Sequence, residues 1–99
     1  MFKFILFAFI FAIKIHEMET TLEISNYPLS EDYEPKILDF IERLNAYNDI
    51  TVRTNVTSTH VTGLYDEVMP IVQKEMKYSF EKYGKAIFVV KILMGDLGI

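Results

Sequence analysis

The sequence predicts an α+β domain in which four antiparallel strands form one sheet and two helices cover one of its faces. Three observations carry this. Four short stretches alternate or are rich in β-branched residues, two longer ones repeat apolar residues at helical spacing, and turn residues separate them. The order along the chain is strand, helix, strand, strand, helix, strand.

The first strand is Thr20–Tyr27. Leu22 and Ile24 fall on one side, and Thr21, Glu23, Ser25 and Tyr27 on the other. Pro28 ends it. Pro35 suits the first turn of a helix, with Asp32 or Tyr33 at its cap, and Ile37, Phe40, Ile41 and Leu44 form its apolar stripe. After the turn at 47–49, Ile50–Asn55 and Thr57–Leu64 read as a hairpin, and Gly63 marks a bulge or a close backbone approach. Asp66 is expected to cap the second helix. Val68, Val72, Met76 and Phe80 form its stripe, with Met69 and Ile71 beside it, and Gly84 stops it. The fourth strand is Ala86–Met94. This order is the ferredoxin-like βαββαβ arrangement.

The fourth strand bears on assembly. Ala86, Ile87, Phe88, Val89 and Val90 are apolar on both sides, where an edge strand facing water should alternate. The expected cover for the open sheet face is a second copy of the chain, giving a homo-oligomer; the alternative cover is the N-terminal extension. Phe88 is then expected at that interface.

The segment 1–17 stands apart. Phe4–Ile13 is apolar throughout, but a membrane-spanning helix needs about 20 such residues, so membrane association is not expected. Lys3 and the apolar run match half of a signal-peptide template, and no small-residue cleavage site follows. The preferred division is an apolar N-terminal extension over 1–17, signal-like or arising from a mis-assigned start, and a ligand-binding domain over 18–99.

Composition narrows the function. The chain has 99 residues, no cysteine and a net charge of -4. The lack of cysteine removes disulfides and thiolate chemistry and fits a cytoplasmic protein. An acidic balance argues against nucleic acid as a partner, because phosphate binding draws on a basic face. Acidic surroundings would suit a cationic ligand. His16 and His60 are the two histidines, too far apart and without the acid spacing of a metal site, so no metal is expected. No glycine-rich phosphate loop and no nucleophile with a recognisable base are present, so no catalytic residues are assigned. Asn55-Val56-Thr57 fits the glycosylation pattern, but no other secretory sign accompanies it.

The densest hydrogen-bonding stretch is Thr54–Thr62, which spans the hairpin. Threonine is common in strands for conformational reasons alone. The mixture of Asn, Ser, Thr and His also offers both donors and acceptors, as an aminopyrimidine ring requires. Tyr27 would supply an aromatic wall.

Several blocks, in order, resemble the YkoF-like thiamine and hydroxymethylpyrimidine-binding domain. They are Glu23–Leu29, Asp32–Pro35, Phe40–Asn45, Thr54-Asn55, Ser58–Val61, Gly63–Asp66, Ser79–Ala86, Val90–Leu93 and Gly95–Leu97. The resemblance covers nearly all of 18–97. It implies the ferredoxin-like fold, assembly by sheet packing, and non-catalytic binding of thiamine or its pyrimidine half as ligand, with no cofactor. It places the ligand-binding residues at Tyr27, Thr54, Asn55, Ser58, Thr59 and His60. The family pattern has Gln where this chain has His60, which leaves the ligand's identity open. The expected role is thiamine salvage or transport. The alternative is a regulatory or subunit-interaction module with a different small ligand or none. An enzyme would need a paired base and nucleophile or a metal, and a membrane-tethered binder would depend on residues 1–17.

Overall fold

The computed structural model describes residues 18–96. The extension proposed for 1–17 lies outside the described residues. The elements follow the expected order: β1 (Glu19–Pro28), α1 (Tyr33–Asn45), β2 (Thr51–Thr54), β3 (Thr59–Leu64), α2 (Tyr65–Tyr83) and β4 (Ala86–Met94). The strands form one antiparallel sheet in the order β2-β3-β1-β4, with both helices against one face. This is the ferredoxin-like α+β fold.

Alternation along the strands sorts the side chains. Leu22 and Ile24 of β1 and Val61 of β3 turn toward the helices and are fully buried with Phe40, Leu44, Val68 and Val72. Phe88 of β4 lies on this same side. Its ring packs against Phe40 at 5.1 Å and meets Phe80 edge-on at 5.3 Å. The expectation that Phe88 sits at an oligomer interface is therefore corrected. Period-two parity puts Phe88 in the core and its neighbours Ile87 and Val89 on the open face, 51% and 49% exposed.

Helix α2 starts one residue before the expected cap. Leu64 precedes it without a side-chain cap, and Asp66 sits in the first turn. The reason is the direct junction with β3: the Tyr65 N–H donates to the Met18 carbonyl at 2.8 Å, so the strand runs straight into the helix. Gly84, at a φ of 83°, closes the far end by donating its N–H to the Phe80 carbonyl. Gly63 is a close approach. A Cβ there would lie 3.0 Å from Val68 Cγ2 and 3.3 Å from the Asp49 carbonyl.

The buried stripe of α2 departs from its apolar pattern. Glu75 and Ser79 are buried, and Phe80 is exposed. Both buried polar residues meet Arg43 of α1. The guanidinium donates to Glu75 Oε1 at 2.7 Å, to the Glu75 carbonyl at 2.9 Å, to Asp39 at 3.1 Å and to Ser79 Oγ. The Tyr78 ring stacks on it at 4.3 Å. The Tyr47 hydroxyl donates to the other Glu75 oxygen at 2.7 Å, and that bond to a carboxylate, with burial second, pushes the Tyr47 pKa up. This network locks the C-terminal half of α1 to α2.

Candidate ligand-binding site

The site forms where β1 leaves β3. Pairing between these strands reaches Ile24 and Thr59, whereas β1 continues against β4 as far as Pro28 and Ala86. Beyond Ile24, the turn between β2 and β3 diverges from β1. Its remaining tie is a Ser25 Oγ hydrogen bond to the Thr57 carbonyl at 3.3 Å. A cleft opens between that turn, the end of β1 and the N-terminal half of α1.

The cleft has two lobes. The outer lobe, about 430 Å³, is lined by Asn26, Tyr27, Pro28, Tyr33, Ile37, Val56 and Thr57. Such a volume falls in the ordinary range for small-molecule pockets. The inner lobe, about 80 Å³, reaches past Asn26 to Ile24, Phe40 and Ile41 and is bounded by Asn55, Ser58 and Thr59. An engineered cavity of about 150 Å³ holds benzene. The inner lobe therefore takes a substituent and not a ring.

Asn26 follows Leu22 and Ile24 in the inward-facing series of β1 and lines both lobes. Its Oδ1 is buried and has no hydrogen-bond partner among the described residues. An acceptor left in that state costs about 1–3 kcal/mol, which a ligand donor would recover. Among the described residues no acidic or basic side chain lines either lobe. The expected acidic surroundings are thus corrected. Glu23 of β1 lies on the other side of the sheet, where it meets His60 Nε2 at 3.4 Å and Lys91 at 3.7 Å.

The structure divides the residues singled out from sequence. Tyr27 borders the outer lobe, and Asn55, Ser58 and Thr59 border the inner one. Asn55 also holds the turn: its Oδ1 accepts from the N–H of Thr57 at 3.0 Å and of Ser58 at 2.9 Å. Thr54 lines neither lobe and pairs with Thr59 across the hairpin. His60 faces away from the cleft. It sits in a row on the open sheet face, opposite Glu23 on one side and Arg53 on the other. Thr59 and His60 are adjacent, so a strand must send them to opposite faces. Sequence reasoning missed Asn26, Tyr33, Ile37 and Val56. For Asn26 the signal was available, because it is a polar residue at an inward-facing position of an alternating strand.

A second cavity, about 390 Å³, lies over the outer side of the helices and is lined by Arg43, Ala46, Tyr47, Lys74, Glu75 and Tyr78. The Arg43, Tyr47 and Glu75 groups along it are satisfied by one another. Among the described residues no cluster of His, Asp or Glu could hold a metal ion, and no helix is long and apolar enough to cross a membrane.

No protein-family model matches the sequence, and no curated protein resembles it significantly. Solved structures do share the fold. A candidate thiamine biosynthesis/salvage protein from Thermotoga maritima superposes with a TM-score of 0.69 at 21% identity, over 81% of this chain and 86% of that one. A hypothetical protein from Methanocaldococcus jannascii gives 0.68 at 20% identity, over 80% and 82%. A domain of unknown function, DUF77, from Bacillus cereus gives 0.59 at 14% identity, over 75% and 73%. At these identities the likeness establishes the ferredoxin-like fold of this chain.

Proposed function

We propose that the protein binds thiamine or its hydroxymethylpyrimidine half in the cleft between β1, α1 and the β2–β3 turn, in thiamine salvage or transport, and does not transform it. The carrying observation is the cleft itself. It is uncharged, flanked by the rings of Tyr27 and Tyr33, and offers one unmet acceptor. An aromatic ring with an amino group matches those features, through ring stacking and a donated hydrogen bond. The Thermotoga neighbour, a candidate thiamine biosynthesis/salvage protein, supports this ligand class.

Capture without turnover is supported by the geometry around His60. Ser58 Oγ at 3.5 Å and Glu23 Oε2 at 3.4 Å meet the same ring nitrogen, Nε2. A serine–histidine–acid relay needs them on opposite nitrogens. On the sheet face away from the helices, the half-exposed Ile87 and Val89 of β4 suit packing against a second copy, while His60 on that face is buried.

The test is calorimetric titration of the full chain with thiamine and, separately, with hydroxymethylpyrimidine. Saturable binding at micromolar affinity or tighter is the expected result. A folded protein that gives no heat with either would refute the reading and favour a subunit-interaction module.

A further inference from the structure

The buried Oδ1 of Asn26 has no hydrogen-bond partner among the described residues, yet Asn26 lies in the wall shared by both lobes. Strand parity fixes its direction. Leu22 and Ile24 precede it on the helix side of β1, and its cross-strand neighbour Phe88 is in the core. Asn26 therefore reaches into the cleft and not toward the open face. Around it, Ile24, Ile37, Phe40 and Ile41 supply apolar surface, and among the described residues no charged side chain lines the lobe to compete for the carbonyl. A buried carbonyl oxygen accepts and cannot donate. In this orientation of the amide it favours an N–H and repels a second carbonyl. The absence of a countercharge also makes it costly to bring a charged ring to this depth.

From these observations we propose that Asn26 is the specificity-determining residue of the cleft. Its Oδ1 takes the exocyclic amino group of a neutral heteroaromatic ring and rejects the same ring bearing a carbonyl there. This rests on the pyrimidine-binding reading above and adds to it which atom reads the ligand and which analogues are excluded. The small inner lobe beside Asn26 receives a substituent of that ring, and any cationic portion of the ligand stays in the outer lobe or beyond it.

The experiment compares hydroxymethylpyrimidine with its analogue in which the amino group is replaced by a ring carbonyl, each titrated calorimetrically into the full chain. The amino form should bind at least about tenfold tighter, the size expected when a buried acceptor is left facing another acceptor. Asn26→Val should weaken the amino form and bring the two affinities within about twofold of each other. A second reading needs no ligand. Because Asn26 carries an unpaired acceptor in the free protein, Asn26→Val should melt no lower than the wild type, whereas a structural asparagine would lower the midpoint when removed. Equal affinities in the wild type, a preference for the carbonyl form, or a destabilised Asn26→Val protein would each overturn the proposal. If neither compound binds, the pyrimidine reading fails and this proposal with it. Equal binding of both defeats the proposal alone.

Discussion

Replacing Arg43 with alanine tests how much the helix layer depends on the polar network around this residue. The guanidinium makes four hydrogen bonds, to Asp39, Ser79, the Glu75 carbonyl and the Glu75 carboxylate. Without it, the Glu75 carboxylate, 8% exposed, keeps only the Tyr47 hydroxyl. Breaking a buried pair from one side costs about 3–5 kcal/mol. Arg43 retains 17% exposure, which allows water to reach the gap and sets the expectation near the lower end, about 3 kcal/mol. For a domain of this length that lowers the thermal midpoint by about 12–24 °C. Urea unfolding followed by circular dichroism should show a lower midpoint with an unchanged slope. Arg43→Lys should recover part of the loss, because a lysine keeps the charge but not the fork. Arg43 itself lines neither lobe of the cleft, which takes Tyr33, Ile37, Phe40 and Ile41 from α1, so the folded variant should still bind ligand. A loss below about 1 kcal/mol would refute the reasoning and class the pair with exposed ones.

Three further outcomes follow from particular contacts. Asn55→Ala should destabilise the protein by about 1–2 kcal/mol and weaken ligand binding, since the turn loses its acceptor, whereas Asn55→Asp should keep both; equal behaviour of the two variants in melts and calorimetry would contradict this. Tyr47 has its pKa raised in the fold by the bond to Glu75, so its contribution is complete below about pH 10 and is lost as pH rises through the raised value. The stability gap between wild type and Tyr47→Phe should accordingly be constant near neutral pH and close in alkali, as read by denaturant melts across pH. Ile87→Asp and Val89→Asp should abolish self-association while the fold persists, and Phe88→Asp should unfold the protein; a wild type that sediments as a monomer at every concentration would sink the assembly proposal.

The strand and helix order was legible because each element carries a regular period. β4 has the bounds that the pattern predicts, and Gly84 stops α2 where a glycine was expected. Three features were not legible for physical reasons. The polar stretch 54–62 reads as one recognition surface, but the pleat of β3 sends Thr59 to the cleft and His60 to the opposite face, while Ser58, in the turn before the strand, borders the cleft and also meets His60 Nε2. Both hairpin strands are shorter than their composition suggests, because Asn55 uses its side chain to close the turn. The helical spacing predicts an apolar stripe on α2, yet Glu75 and Ser79 are buried there because a partner on another helix, Arg43, satisfies them. That pairing joins residues more than thirty positions apart, beyond any local pattern.

The pairing of β1 with β4 also sets how the domain responds to force. Thr20 lies opposite Met94, so the start of β1 and the end of β4 lie side by side, and Pro28 and Ala86 mark the far end of the same ladder beside the cleft. Tension applied through Glu19 and Met94 would peel this ladder one rung at a time, starting at Thr20 and Met94 and arriving at the cleft last. Shear, which loads every rung together, does not arise in this geometry. The same adjacency means that a short linker could join these ends, and a permuted chain opened at the loop 29–32 would keep every strand pairing intact.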